Sequence, residues 1–217
     1  METSLLRREK QVGNAWSFWF SRPDGFVFQG GDYTELALDK AGERRWFSIA
    51  AGPQEKDLQF CIKIADQHST FKQGLLDLKP TQTAHLSPPM GNFNVPNQPD
   101  KLLFIAGGIG ITPFRSILLE EAHRHIGHDI VLFYTARSAQ HLFLNEISTD
   151  IKLIKHISGS KRLTLPDILA AVPDASERMI YLAGPEPMME QYHEQLLTQA
   201  HPRWRLRLSY FTGYNEL

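Results

Sequence analysis

The hydrophobic rhythm of the chain changes near its middle. From Gln11 to about Phe93, apolar positions come in short clusters broken by turn residues. Trp16, Phe18 and Phe20 alternate with Ser17 and Trp19, Pro23-Asp24-Gly25 reads as a turn, and Phe26-Val27-Phe28 resumes the pattern. Tyr33 to Leu38, Trp46 to Ala50 and Leu58 to Ile64 supply further strands. Many short strands with little room for helices predict a small antiparallel barrel. One short helix interrupts it, with Ser69 or Thr70 as cap, Phe71, Leu75, Leu76 and Leu78 along it and Pro80 past its end. It reads as a plug for one end of the barrel and, through its capped start, as an anion site; the two readings are compatible.

Pro88, Pro89, Pro96 and Pro99, interspersed with Gly91, Asn92, Asn94 and Asn97, form a turn-rich bridge. It divides the chain into residues 1–97 and 98–217. Beyond it, strands at 102–106, 130–135, 151–157, 179–183 and 205–210 alternate with helices at 114–125, near 142–147, at 165–171 and at 187–199. That alternation predicts a doubly wound parallel sheet. Its first strand, Leu102 to Ala106, is apolar at every position, as a strand buried on both faces must be. Gly107, Gly108 and Gly110 follow at once. Without a Cβ they permit positive φ and close approach of backbone N–H groups to an anion. Thr112 reads as an N-cap and Pro113 as the first helical residue. A glycine-rich turn of this kind serves as a tight connection or as a phosphate cradle. Ligands of doubly wound sheets bind at the carboxyl ends of the strands. There, Ala136-Arg137-Ser138 and Ala183-Gly184-Pro185-Glu186-Pro187-Met188 should converge with the glycine turn.

The 217 residues carry a formal net charge of −1, with no global bias toward nucleic acid or an anionic membrane. The single cysteine, Cys61, excludes an intrachain disulfide and a Cys-ligated cluster, and its apolar neighbours suit a buried core residue. No stretch approaches the ~20 apolar residues that span a bilayer, and METSLLRREK lacks a signal-peptide core, so a cytoplasmic protein is expected. His123, His125 and His128 do not stack on one helix face, so no metal site is expected.

These motifs, taken in order, resemble the ferredoxin–NADP reductase superfamily, in which a flavin-binding barrel precedes a nicotinamide-nucleotide domain. The flavin signature Arg-x-Tyr-Ser stands here as Arg45-Trp46-Phe47-Ser48. The Gly-Pro-x-Gly-x-Phe segment stands as Pro88 to Phe93, the GGIGITP turn as Gly107 to Pro113 and the Y-x-x-R loop as Tyr134 to Arg137. The CGP-x-x-M turn stands as Ala183 to Met188 and the closing F-x-G-Y as Phe211 to Tyr214.

The resemblance implies roles. Arg45 pairs with the pyrophosphate of FAD, with FMN the alternative; Phe47 packs on the isoalloxazine and Ser48 bonds near its N5. Trp46, Ile62 and Lys63 belong to the same flavin seat, and Ser69 and Thr70 take the remaining phosphate charge. Gly107, Gly108, Gly110, Ile111 and Thr112 hold the pyrophosphate of NADH or NADPH, and Arg137 and Ser138 face its adenosine. Ser158, Lys161 and Arg162 stand where a 2′-phosphate or a solvated basic turn is equally suitable. Gly184, Pro185 and Met188 lie beneath the nicotinamide. Ser48, Ala183, Ser209 and Tyr214 stand nearest the chemistry. Ala183 replaces the family's cysteine and Ser209 an acidic residue. The implied activity is hydride transfer from NAD(P)H to flavin and delivery of electrons to a separate acceptor, such as a ferredoxin- or flavodoxin-like protein or an oxygenase component. The alternatives are a reductase of free flavin, quinone or ferric chelates, and a nucleotide-binding subunit of little activity.

Overall fold

The computed structural model describes residues 1–138, 140–147, 150–159, 163–199 and 201–211. Six strands come first: β1 (Glu2–Lys10), β2 (Ala15–Ser21), β3 (Tyr33–Ala37), β4 (Arg44–Ser48), β5 (Asp57–Lys63) and, after helix α1 (Thr70–Asp77), β6 (Thr83–Leu86). They form one antiparallel sheet in the order β4-β3-β6-β1-β2-β5. The sheet curls so that its two ends meet: Phe47 on β4 lies 6.4 Å from Phe60 on β5, ring to ring. Leu5, Phe18, Phe20, Leu36, Leu58 and Phe60 fill the interior with no exposure to solvent. Phe71 and Leu75 of α1 are buried with them, so the helix plugs the barrel as expected.

Strand β1 was hidden in the sequence. Among its residues only Thr3 and Leu5 are buried, and the Arg7-Arg8-Glu9-Lys10 run that follows masks the alternation. Phe26-Val27-Phe28 has the burial of a strand, with both rings inside and Val27 76% exposed, yet it is not one. The turn is fastened instead by Arg22, whose guanidinium donates to the carbonyls of Phe26 (2.8 Å) and Pro53 (2.7 Å).

The second sheet is parallel. It comprises β7 (Lys101–Gly107), β8 (Asp129–Ala136), β9 (Lys152–Ile157), β10 (Met179–Pro185) and β11 (Leu206–Phe211), in the order β11-β10-β7-β8-β9. Helices α2 (Ile111–Arg124), α3 (Leu165–Ala171) and α4 (Glu186–Thr198) connect them. The segment near 142–147 forms only a 3₁₀ turn over Leu144–Glu146. Strand β7 is buried on both faces: Leu102, Phe104 and Ala106 pack with α2, and Leu103 and Ile105 with α3 and α4. Strand order reverses beside β7, so its carboxyl end and that of β10 frame the crevice where such sheets bind ligands.

Helix α2 does not begin with Thr112 as a cap. A 3₁₀ turn over Gly108–Gly110 runs directly into the helix at Ile111, and the Thr112 hydroxyl donates to the Ile109 carbonyl at 3.0 Å. Gly110 permits that entry. A Cβ there would collide with the carbonyl of Ala183 and stand 2.6 Å from Gly184 N. Because the neighbour is backbone, Gly110→Ala should destabilise the whole protein by about 3 kcal/mol, the upper range for overpacking. A lowered denaturant midpoint checks this.

Candidate functional site

A cleft of ≈ 1410 Å³ lies between the two sheets and is lined from both. Single small-molecule pockets run to about 300–1,000 Å³, so there is room for more than one ligand of that size.

The barrel contributes its edge strand β4 and the start of α1. Arg44, Arg45, Trp46, Phe47 and Ser48 all line the cleft. Arg45 forms an exposed ion pair with Glu43. Phe47 stacks on Phe71 (6.0 Å, 29°), and Trp46, 58% exposed, stacks on Tyr33 (5.0 Å, 27°). Ser69 is the N-cap of α1, its hydroxyl oxygen accepting from Lys72 N–H at 3.4 Å. Ser69 and Lys72 line the cleft, whereas Thr70 is exposed away from it. Lys63 lies at the end of β5 and faces the cleft, while its neighbour Ile62 is buried in the barrel core.

The parallel sheet contributes its strand ends. Gly107, Gly108 and Thr112 line the cleft from the end of β7 and the start of α2, Arg137 and Ser138 from just beyond β8, Ser158 from just beyond β9, Pro185 and Met188 from the end of β10 and the start of α4, and Ser209 from β11. The glycines divide their work. Gly108 has φ +54°, and a Cβ there would meet nothing within 4 Å, so its bare backbone faces open space. Gly107 and Gly184 lie against the Met188 side chain, and Gly110 against β10. Ile111, Ala183 and Gly184 are buried and do not reach the cleft. Lys161, Arg162 and Tyr214 lie outside the described residues.

Charge is distributed one way. Among the described residues lining the cleft are Arg44, Arg45, Lys63, Lys72 and Arg137, and no Asp or Glu. Burial lowers the Lys63 ammonium below its ordinary pKa, and Arg137 lowers it further; Lys72 is lowered by burial and by Lys63 and Arg45. These cations therefore sense one another across the two halves of the molecule. Such a concave basic surface concentrates anions. Cys61 also borders the cleft, but burial pushes its thiol up to about 12, so it is not a thiolate nucleophile. Its part is packing. Tyr33, His68 and Lys72 escaped the sequence reading; Lys72 was legible as the residue one turn beyond the Ser69 cap. His128 has a structural job: Nδ1 accepts from Asp100 N–H and Nε2 lies 3.0 Å from the Pro96 carbonyl, pinning the bridge between the sheets.

A family model described as an oxidoreductase NAD-binding domain matches residues 104–156. A flavohemoprotein of Candida albicans (strain SC5314 / ATCC MYA-2876) is 27% identical over 197 residues, which cover 79% of this chain and 47% of that protein. Reductase component 1 of the terephthalate 1,2-dioxygenase of Comamonas sp is 32% identical over 147 residues, 66% of this chain and 40% of that one. Among solved structures, a ferredoxin NADP+ reductase from Neisseria gonorrhoeae with bound FAD and NADP matches with TM-score 0.80 at 16% identity, over 97% of this chain and 98% of that chain. The chain spans between about a third and two thirds of the length of the curated relatives it matches. An antiparallel barrel followed by a doubly wound sheet with a glycine turn after its first strand is the two-domain arrangement that this chain shares with the ferredoxin NADP+ reductase structure. Its fold is that of the ferredoxin–NADP reductase-like proteins.

The facing cations give a direct check on the cleft. Arg137→Gln removes a charge that depresses Lys63, so the Lys63 ammonium should titrate at higher pH in the variant. NMR titration of the lysine side chain reads this, and an unmoved Lys63 would mean that the two residues do not share a cleft.

Proposed function

We propose that the protein is an NAD(P)H-dependent flavoprotein reductase that holds FAD on the barrel side of the cleft and the nicotinamide dinucleotide on the sheet side. The carrying observation is a cleft whose charged lining among the described residues is wholly basic, with a glycine of positive φ and open space at the switch point of the parallel sheet. Two pyrophosphate-bearing ligands fit that lining in charge and in volume.

In this reading Arg45 and Lys72 hold the flavin pyrophosphate together with the Ser69-capped start of α1, and the guanidinium fork of Arg45 supplies charge-assisted hydrogen bonds. Phe47, backed by Phe71, gives the flavin ring an apolar wall, and Ser48 presents a hydroxyl at its reactive edge. Trp46 and Lys63 border the same seat. Gly108 and Thr112 bring backbone N–H groups to the dinucleotide, Arg137 and Ser138 receive its adenosine end, and Pro185 and Met188 support the nicotinamide from below. Ser209 occupies the adjoining wall. Held by these residues, FAD would supply acceptance of two electrons from NAD(P)H and their release singly or in pairs. What the chain supplies is orientation of the two rings and exclusion of water between them. Residues 1–97 form the flavin unit and 98–217 the nucleotide unit.

Names among the relatives, such as the terephthalate dioxygenase reductase component, support a separate acceptor, a ferredoxin-like protein or an oxygenase component. A cytoplasmic location belongs to the same reading, in keeping with the one cysteine being buried and free. No described helix is long and apolar enough to cross a membrane.

Anaerobic addition of NADH or NADPH to the flavin-loaded protein should bleach the flavin band, and a band unchanged with both donors would refute the proposal. Arg45→Ala should weaken flavin binding by about ten- to a hundredfold, the worth of one charge-assisted hydrogen bond, with the fold unchanged by circular dichroism. Gly108→Val should raise the KM for NAD(P)H by roughly tenfold or more while flavin affinity stays at the wild-type value, because its side chain would project into the cleft. Steady-state kinetics and flavin titration separate the two effects.

A further inference from the structure

Arg115 lies on α2, three residues after Thr112, and is 5% exposed. A buried guanidinium needs partners for its donors, and those found here come from three different parts of the molecule. Its Nη1 donates to the Ala50 carbonyl at 2.5 Å, two residues beyond Ser48, and to Glu55 at 3.0 Å. Its Nε and Nη2 donate to one oxygen of Glu146 at 2.9 and 2.5 Å. Its planar group lies 5.2 Å from the ring of Phe143, a non-glycine residue at φ +60°.

Two of the partners lead into cleft walls, and the third, Glu55, braces the loop behind them. Ala50 continues β4, which carries Arg45, Phe47 and Ser48. Glu55 organises the next loop, its Oε2 also accepting from Gly52 N–H at 2.7 Å. Glu146 and Phe143 belong to the segment leading away from Arg137 and Ser138, whose Leu142 lines the cleft and donates its N–H to Tyr134 Oη at 3.1 Å. Arg115 itself rides on the helix that starts at the glycine turn. One side chain therefore fixes the flavin strand, the nucleotide turn and the adenosine loop relative to one another, without lining the cleft itself.

We propose that Arg115 is a positioning residue for hydride transfer: it sets the distance and tilt between the flavin and nicotinamide seats and contributes little to the affinity of either. The inference rests on the reductase reading above and deepens it. A displacement of about 1 Å between reacting atoms can cost roughly a hundredfold in rate, which is the scale expected when a three-way tether is cut.

The test uses the full chain. Arg115→Met keeps the length of the side chain and removes every hydrogen bond. Stopped-flow reduction at saturating NAD(P)H should slow by about ten- to a hundredfold, with the KM for NAD(P)H and the flavin Kd each within about threefold of wild type. The long-wavelength absorbance of stacked nicotinamide and flavin should weaken in parallel. Arg115→Lys, which can still reach Ala50 O and one carboxylate, should recover part of the rate. Independently of any loaded enzyme, small-angle scattering of the flavin-free Arg115→Met protein should show a larger radius of gyration than wild type. Should Arg115→Met fail to fold, Glu146→Gln, a partly exposed position, should slow reduction with an unchanged KM. A wild-type protein that NAD(P)H does not bleach would remove the reductase reading itself. A bleachable wild type with Arg115→Met, or Glu146→Gln in its place, reduced at the wild-type rate, or with the loss confined to KM, would overturn the positioning role alone.

Discussion

The seam between α2 and the barrel is the constraint on which the site depends. Two units joined by a proline-rich bridge move relative to one another unless their interface is specific. Here one face of one helix makes it so. Besides Arg115, Ser116 donates to the Ala51 carbonyl at 2.6 Å, the Leu119 carbonyl accepts from Gln54 at 3.0 Å, and Glu120 accepts from Gly30 N–H at 2.7 Å. Apolar contacts flank these bonds, with Phe93 against Phe114 at 5.4 Å and Tyr181 at 5.2 Å, ring to ring. The polar character of the seam follows from what it covers. Barrel loops present backbone groups that no strand pairs, and burying them unpaired would cost about 1–3 kcal/mol each. A helix face of Arg, Ser and Glu satisfies them and fixes one register of docking, which a purely apolar face would not.

Charge is arranged to match. In a chain of net charge −1, a cleft whose charged lining among the described residues is cationic places the described carboxylates elsewhere. They are found on the rim and behind the walls: Glu35 and Glu43 pair with Arg44 and Arg45 from outside, and Glu55 and Glu146 pair with Arg115 beneath the floor. The exposed rim pairs of Arg44 and Arg45 contribute little to stability. Their effect is to hold these arginine side chains near the opening while leaving the interior positive, and Lys63 and Lys72 are lowered first by burial and further by the neighbouring cations.

The fold was legible wherever burial was two-sided or strictly alternating. Strand β7 reads as apolar throughout, and α3 begins and ends where its periodicity places it, at Leu165 and Ala171. Legibility failed where tertiary partners replace local signals. Strand β1 is central in its sheet yet mostly charged, because only one of its faces meets the core. Phe26 and Phe28 point inward from a turn that Arg22 fastens from a distance. Thr112 has the chemistry of a cap, but the preceding glycines are already helical in their turn and leave it no terminus to cap. Arg115 was the least legible of all. Within GITPFRSILL it stands with Thr112 and Ser116 among apolar residues in a stretch buried from Ile111 to Leu118, and its three partners are 31, 60 and 65 residues away.

The same distinction between backbone and side chain bears on residue 183, where alanine stands in place of the cysteine of the pattern the sequence resembles. Ala183 is fully buried, and the atom it places against the glycine turn is its carbonyl oxygen, which lies where a Cβ on Gly110 would be. Any side chain at residue 183 must fit between α2 and the sheet, so alanine suits the packing at that point. The surface above it is furnished by Pro185 and Met188, with Ser209 on the neighbouring strand. In the proposed reductase, binding at this end of the cleft is therefore carried by the turn after β10 rather than by residue 183. The shape of that turn depends on Met188, whose sulfur and methyl group fill the space that Gly107 and Gly184 leave without a Cβ.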